Sequence, residues 1–252
     1  MTGSRQTCSA VIITWNEEER LRACLASLAW VDEIVVVDGE SQDKTVEVAR
    51  EFTDRIIVQP WLGFAAQKNF AVDQARGEWI LSVDADEEVS VELREEIEAI
   101  LVGPVTSAGY ALPRKNIFWN RWIRHGGLYP DWQTRLFQRG RGRFVQRAVH
   151  ESVEISGPLA RLRGPLVHKS YRSIAEFLER ANRYSSLAAD DLARGGARVG
   201  GGQVVLRPLG RFLGMYVLRR GFLDGMPGLL LAGLYAYYVF IRCAKLWEKT
   251  RG

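Results

Sequence analysis

Short apolar runs alternate with amphipathic stretches through the first part of the chain, and that alternation predicts most of its elements. Residues 9–14 (Ser-Ala-Val-Ile-Ile-Thr) read as a first strand. Asn16 stands where it can cap a helix over about 17–30 that opens on acidic residues. A second apolar run, 33–37, ends at Asp38. The polar turn 38–45 opens a helix to about 52, and 55–58 read as a third strand. A helix over about 64–76 follows, closed by Gly77. Residues 79–83 (Trp-Ile-Leu-Ser-Val) form the fourth strand. Apolar strands separated by helices predict a parallel sheet covered on both faces, with ligands at the carboxyl ends of the strands. Thr14, Asp38 and Asp84-Ala85-Asp86 all fall at such ends.

Farther along, Ser173 with Glu176 three residues on is a capping box. Ile174, Phe177, Leu178, Ala181, Tyr184, Leu187 and Ala188 recur at the helical period and predict a helix over 174–193. The glycine-rich stretch 195–202 reads as a linker, since no strand leads into it and no Lys-Ser/Thr closes it as a phosphate loop would require. Beyond it, Arg207, Arg211, Arg219 and Arg220 flank an apolar segment, and the uncharged run 226–241 precedes Arg242, Lys245 and Lys249. That run is shorter than the roughly 20 residues of a spanning helix. Residues 205–248 therefore predict amphipathic helices that lie on or partly enter a membrane, or else pack on the protein or a second subunit. The expected organisation is a catalytic domain over 1–172, in halves of about 7–102 and 103–172, and a helical region over 173–252.

Charge sharpens this picture. The chain has 252 residues and a net charge of +4, but residues 1–156 carry 18 Lys and Arg against 24 Asp and Glu, while 157–252 carry 16 against 6. A basic end that is also apolar points to an anionic membrane surface rather than nucleic acid, for which no binding module is present in the sequence. Three widely spaced cysteines form neither a disulfide framework nor a zinc motif and fit a reducing compartment. The polar start, 1–7, is not a secretory signal.

The most informative chemistry is Asp84-Ala85-Asp86. Residues i and i+2 on an extended chain point the same way, so the pair can present hard oxygen ligands to Mg²⁺ or Mn²⁺, which in turn grip a diphosphate. Alone, the triplet reads equally as an acidic turn capping the next helix. Asp38 can accept hydrogen bonds from a base or ribose, or cap its helix; Thr14 and Asn16 can hold the base or cap the first helix. Glu17 shares that edge, within an ordinary acidic helix start.

Four motifs in order carry a family resemblance: 11–18 (Val-Ile-Ile-Thr-Trp-Asn-Glu-Glu), 37–45 (Val-Asp-Gly-Glu-Ser-Gln-Asp-Lys-Thr), Gln67-Lys68-Asn69 and Asp84-Ala85-Asp86-Glu87. Over about residues 7–170 the chain resembles family 2 glycosyltransferases of the GT-A fold, a Rossmann-like, mixed and mostly parallel sheet flanked by helices. The later motifs Tyr129-Pro130-Asp131-Trp132-Gln133, Arg135-Leu136-Phe137, His150-Glu151 and 221–225 (Gly-Phe-Leu-Asp-Gly) are similar to the bacterial branch that builds the lipopolysaccharide inner core.

The resemblance implies a transferase that inverts the anomeric centre, needs Mg²⁺ or Mn²⁺, and takes a UDP-sugar, with UDP-glucose first. The implied acceptor is a lipid-linked saccharide at the cytoplasmic face of a bacterial inner membrane. It gives Asp86 direct metal contact, Asp84 ribose or metal-bound water, and Lys68 the nucleotide. Many family members carry a Glu-Asp pair with the second acid as base; here the corresponding pair is His150-Glu151, making Glu151 the candidate base and Asp131 its rival. His168 stands where some GT-A enzymes place a late histidine on the metal or diphosphate, and otherwise reads as a core residue. Arg135 pairs with phosphate or with Asp131, and His125 is given no role.

Aromatic and basic residues interleave over 116–124, suiting a phosphorylated sugar-lipid or else an ordinary hydrophobic flap over the core. Arg139, Arg141, Arg143 and Arg147 around two glycines read as a mobile hairpin tip that meets an anionic acceptor or lipid. The other readings are a polyprenyl-phosphate glycosyltransferase, a nucleotidyltransferase, a phosphatase of the Asp-x-Asp type and a non-catalytic membrane adaptor. The acidic turn after the first strand argues against a nucleotidyltransferase, and the Asp pair on a fourth strand against the phosphatase.

Overall fold

A computed structural model of the chain describes residues 5–145 and 152–251. Arg147, His150 and Glu151 lie outside the described residues. The chain divides into two compact units, Met1–Arg114 with Trp132–His168, and Lys115–Asp131 with Lys169–Gly252.

The first unit is built on strands β1 (Cys8–Thr14), β2 (Glu33–Asp38), β3 (Ile56–Val58) and β4 (Trp79–Ser82), interleaved with helices α1 (Glu18–Ala26), α2 (Thr45–Arg50) and α3 (Phe64–Gln74). β3-β2-β1-β4 run parallel. Their apolar character follows from burial on both faces. Ala10 and Ile12 of β1, Val36 of β2 and Trp79 and Leu81 of β4 join one core; Val11, Val35, Val37 and Ile80 join the other.

β5 (Glu87–Val89) and α4 (Val91–Val102) follow, and Ser90 caps α4 by accepting from Leu93 N. Next come β6 (Gly109–Phe118), β7 (Arg121–Trp122), β8 (Asp131–Gln138), β9 (Gly142–Val145), β10 (Ser152–Ile155), β11 (Leu159–Arg161) and β12 (Leu166–Tyr171). The main sheet continues past β4 as β8-β6-β12-β5, with β8 antiparallel to β4 and β5 antiparallel to β12, while β9 and β10 make a separate hairpin. The sheet is mixed, as predicted.

Several local expectations change. Asn16 does not cap α1: the helix starts later, and Asn16 takes a left-handed conformation with φ 54° while its Oδ1 accepts from Gln42 N. Asp38 does not cap α2, because that helix begins only at Thr45. Gly77 closes no helix, since α3 ends at Gln74. It is required by close approach instead: a Cβ there would lie 2.6 Å from Ser9 Oγ and 2.7 Å from Ser9 N. Gly77→Ala is therefore expected to destabilise the first unit by about 1–3 kcal/mol, read as a lower denaturant midpoint; an unchanged midpoint would contradict this packing.

The described arginines of this turn contact neighbouring elements. Arg139 Nε donates to Gly77 O at 3.0 Å, Arg143 pairs with Asp73 at 2.6 Å, and Ser156 N donates to Arg141 O at 2.7 Å.

The second unit contains α5 (Ile174–Arg194), α6 (Gly201–Leu213), a π-helical turn Gly214–Leu218, a 3-10 turn Gly221–Asp224 and α7 (Met226–Thr250). Ser173 caps α5 by accepting from Glu176 N, while the Glu176 carboxylate accepts from Arg172 N. Gly201 and Gly202, read above as linker, open α6. Phe118 and Ile123 bury with Leu231 of α7, and Phe118 stacks on Tyr171. At the other end of α7, Cys243 and Leu246 bury with Ala189 and Val199.

Candidate active site

Thr14 and Asp38 end adjacent parallel strands and are direct register partners. The Asp38 carboxylate is buried and held from three sides. Thr14 Oγ1 and Ser41 Oγ donate to its Oδ1 at 2.9 and 2.6 Å, and Ser41 N donates to Oδ2 at 2.8 Å. Ser41 Oγ also accepts from Asn16 N, so Asn16 shapes this loop by its backbone.

Beside Asp38, Gly39 lies so close to Trp61 that a Cβ would come within 2.9 Å of its ring. Trp61 packs edge-on to Phe64 and beside Trp15, and all three residues are partly open to solvent. This aromatic shelf escaped the sequence reading. Its signal was a tryptophan in the loop just past the third strand, at the sheet edge where ligands bind.

The triplet Gln67-Lys68-Asn69 sits on α3, and each residue serves a different neighbour, as steps of about 100° around a helix require. Gln67 holds the Trp61 loop through Leu62 N and Gln59 O. Asn69 clasps Phe144 of β9 through both its N–H and its carbonyl. Lys68 is buried, not an exposed helix lysine, and its Nζ lies 2.8 Å from Asp84 Oδ1.

Asp84 and Asp86 follow β4, and their side chains enter different surroundings. Asp84 is bound by Lys68 on one oxygen and by Arg135 on the other. Burial alone would raise its pKa, but Arg135 and then Lys68 outweigh that and hold the carboxyl well below the usual range. Arg135 therefore pairs with Asp84 and Glu87, not with Asp131 as one sequence reading had it.

Glu87 is fully buried on β5. Its Oε1 accepts from Arg135 Nη2 at 2.9 Å and lies 3.6 Å from Arg114 Nη1, and its Oε2 accepts from Asp84 N at 3.0 Å. Glu87 thus fixes both the backbone and, through Arg135, the side chain of Asp84. The sequence flagged it only as the acid after the triplet.

Asp86 meets other partners. Its Oδ2 lies 3.3 Å from His168 Nε2 and 3.7 Å from Arg20 Nη1. Burial would raise this carboxyl as well, but His168 above all, with Arg20, keeps it lowered against the repulsion of Asp84. His168 reaches it because β12 pairs with β5 in a register that sets His168 opposite Glu87. Arg20 in turn lies 3.8 Å from Glu17 Oε2, which connects Glu17 to this group. The helical i, i+3 spacing of Glu17 and Arg20 was its only sequence signal.

Among the described residues no cluster of three or more His, Cys, Asp or Glu forms a complete metal cage. The Asp86–His168 pair still fits a divalent cation, because such ions at diphosphate sites take only one or two protein ligands and fill the rest with phosphate oxygens and water.

Residues 9–161 match the family described as Glycosyl transferase family 2. The chain belongs to glycosyl transferase family 2. An uncharacterized glycosyltransferase of Rickettsia felis is 34% identical over 95% of this chain and 89% of its own length. The lipopolysaccharide core biosynthesis glycosyltransferase LpsC of Rhizobium meliloti is 31% identical over 96% of this chain and 92% of its own. Among solved structures, the mannosyltransferase PcManGT of Pyrobaculum calidifontis, in complex with GDP-Man and Mn²⁺, superposes with a TM-score of 0.55 at 15% identity, covering 98% of this chain and 89% of that one. The protein is a glycosyltransferase with the GT-A fold, and that displaces the nucleotidyltransferase, phosphatase and adaptor readings.

Proposed function

We propose that this glycosyltransferase moves a hexose, glucose from UDP-glucose first, to a lipid-linked saccharide of the lipopolysaccharide core type, with inversion, at an anionic membrane surface on the cytoplasmic side. The observation that carries the donor half is the half-buried pairing of Asp86 with His168 on the sheet edge where Thr14 and Asp38 also end. The likeness to LpsC along nearly the whole of both chains supports the acceptor class.

In this reading Asp38, braced by Thr14 and Ser41, accepts from the base or ribose, and the Trp61 shelf stacks the base. Lys68 and Arg135 bring two positive charges beside Asp84, next to the diphosphate. Asp86 and His168 hold Mg²⁺ or Mn²⁺, and the cation, when bound, stabilises the charge of the departing diphosphate. Fixing base and ribose leaves C1 of the sugar in one attack geometry. The acceptor oxygen bonds to C1 as the C1–O bond to the diphosphate breaks on the opposite face, and the acceptor proton passes to Glu151. The first unit thus carries the donor residues and the candidate base, and the second the membrane-facing helices.

The test is turnover of UDP-hexoses with a lipid A–core acceptor, with the anomeric configuration of the product read by NMR. Retention of configuration would sink the mechanism, and turnover only with a polyprenyl phosphate would replace the acceptor. Glu151→Gln is expected to lower kcat by about 10²–10⁴-fold with little change in UDP affinity, and Asp131→Asn far less. The opposite order would transfer the base to Asp131.

A further inference from the structure

The most unusual surface of the molecule is on α6 and the turns that follow it. Among the described residues of α6 no side chain is buried. Val205, Leu206, Leu209 and Leu213, with Val217 of the π-turn, recur three or four residues apart and form one apolar face. Leu206 is 66% and Leu218 80% exposed, and Phe222, Leu223 and Met226 continue the exposed apolar surface. On α7, Met226, Leu229, Tyr237 and Phe240 make a second exposed stripe at the helical period. Exposed apolar surface this extensive marks a docking site.

Charge identifies the occupant. Residues 195–223 contain five arginines (Arg198, Arg207, Arg211, Arg219 and Arg220) and no Asp or Glu. The first acid after them, Asp224, is turned inward, accepting from His125 N at 2.8 Å and lying 3.1 Å from His125 Nδ1. A twofold pairing through this face would bring two such arginine sets to one interface with no acid in the segment to offset them. A layer of lipid phosphates neutralises them and covers the apolar face as well.

The depth of α7 is limited by its own packing. The helix is 25 residues long and apolar enough to cross a bilayer. Its last turns, however, are committed to α5: Lys245 Nζ lies within 2.7–2.8 Å of four oxygens, Asn182 O and Oδ1, Ser185 Oγ and Ser186 Oγ, and shares its three N–H groups among them. The uncharged part, 226–241, spans about 24 Å at 1.5 Å per residue, short of the roughly 30 Å of a hydrocarbon core.

We propose that α6, the π-turn and the uncharged part of α7 dock in the plane of an anionic bilayer, with the Leu206–Leu209–Leu213 face among the acyl chains and the arginines at the phosphates. This deepens the membrane reading above and rests on it for its purpose, which is to bring the enzyme to a lipid-carried acceptor.

The test is flotation of the full chain with phosphatidylcholine vesicles, with and without phosphatidylglycerol. Wild type is expected to float with the anionic vesicles and to bind neutral ones at least tenfold more weakly. Leu206→Gln/Leu209→Gln/Leu213→Gln is expected to lose flotation while its circular dichroism and UDP binding stay at wild-type values. Undiminished flotation of that variant, or equal binding of wild type to neutral vesicles, would overturn the proposal. A vesicle-free dimer that these substitutions dissolve would assign the face to a second copy instead. UDP binding measured on the same preparations separates the two readings: flotation without nucleotide binding leaves docking standing and removes the donor assignment.

Discussion

Asp86→Ala is expected to remove Mn²⁺-dependent UDP binding and to lower turnover by about 10³-fold or more, the several kcal/mol of charge stabilisation that a bound cation supplies. The carboxylate stands 3.3 Å from His168 and 3.7 Å from Arg20, and these two neighbours lower its pKa against the opposing effect of burial. Of the two acids in the triplet, Asp84 has both oxygens taken by Lys68 and Arg135, which leaves Asp86 as the acid that can turn to a metal. His168→Ala is expected to cost at least the roughly 10–100-fold in metal affinity that loss of even an outer-shell partner costs. Calorimetry with UDP, GDP and ADP, with and without Mn²⁺, reads all of this. The guanosine comparator matters because the mannosyltransferase neighbour holds GDP-Man. Wild-type UDP affinity in Asp86→Ala, still dependent on Mn²⁺, would take the metal away from Asp86. Tight binding of GDP or ADP alone would change the donor and keep the site.

Glu87→Ala is expected to destabilise the protein by about 3–5 kcal/mol, the usual cost of stripping one partner from a buried charge pair. Glu87 has no exposed surface, and its removal leaves Arg135 with Asp84 alone, Arg114 without its 3.6 Å neighbour and the Asp84 N–H without an acceptor. Denaturant unfolding measures the loss. Because the same carboxylate positions Asp84, donor affinity is expected to fall in the fraction that folds. Glu87→Gln, which keeps the shape and an acceptor oxygen but not the charge, is expected to recover part of the stability. A loss below about 1 kcal/mol for Glu87→Ala, as for an exposed ion pair, would refute the network.

The strands and the ligand edge were legible because their signals are local. A strand buried on both faces reads as an unbroken apolar run, so the positions of Thr14, Asp38 and the Asp84–Asp86 triplet at strand ends follow from the order of runs and helices. The distant partners of those residues were not legible. Lys68 reaches Asp84 from α3 and Arg135 from β8, and no spacing along the chain encodes that convergence, whereas Glu87 meets the Asp84 N–H from only three residues on. His168 was placed as a late histidine by resemblance, while its contact with Asp86 depends on the antiparallel register of β12 against β5.

By itself, then, the sequence determined the alternation of strand and helix, the acids at the strand ends, the family and the basic, apolar character of the last segment, all of which depend on short-range pattern and composition. Only the tertiary structure decided that Asp84 is neutralised while Asp86 faces a histidine, that Gly77 serves close packing on Ser9 rather than a helix end, and that the end of α7 belongs to α5. Burial and pairing of charge are properties of groups brought together from distant parts of the chain, and a carboxylate looks the same in sequence whichever cation the fold sets beside it.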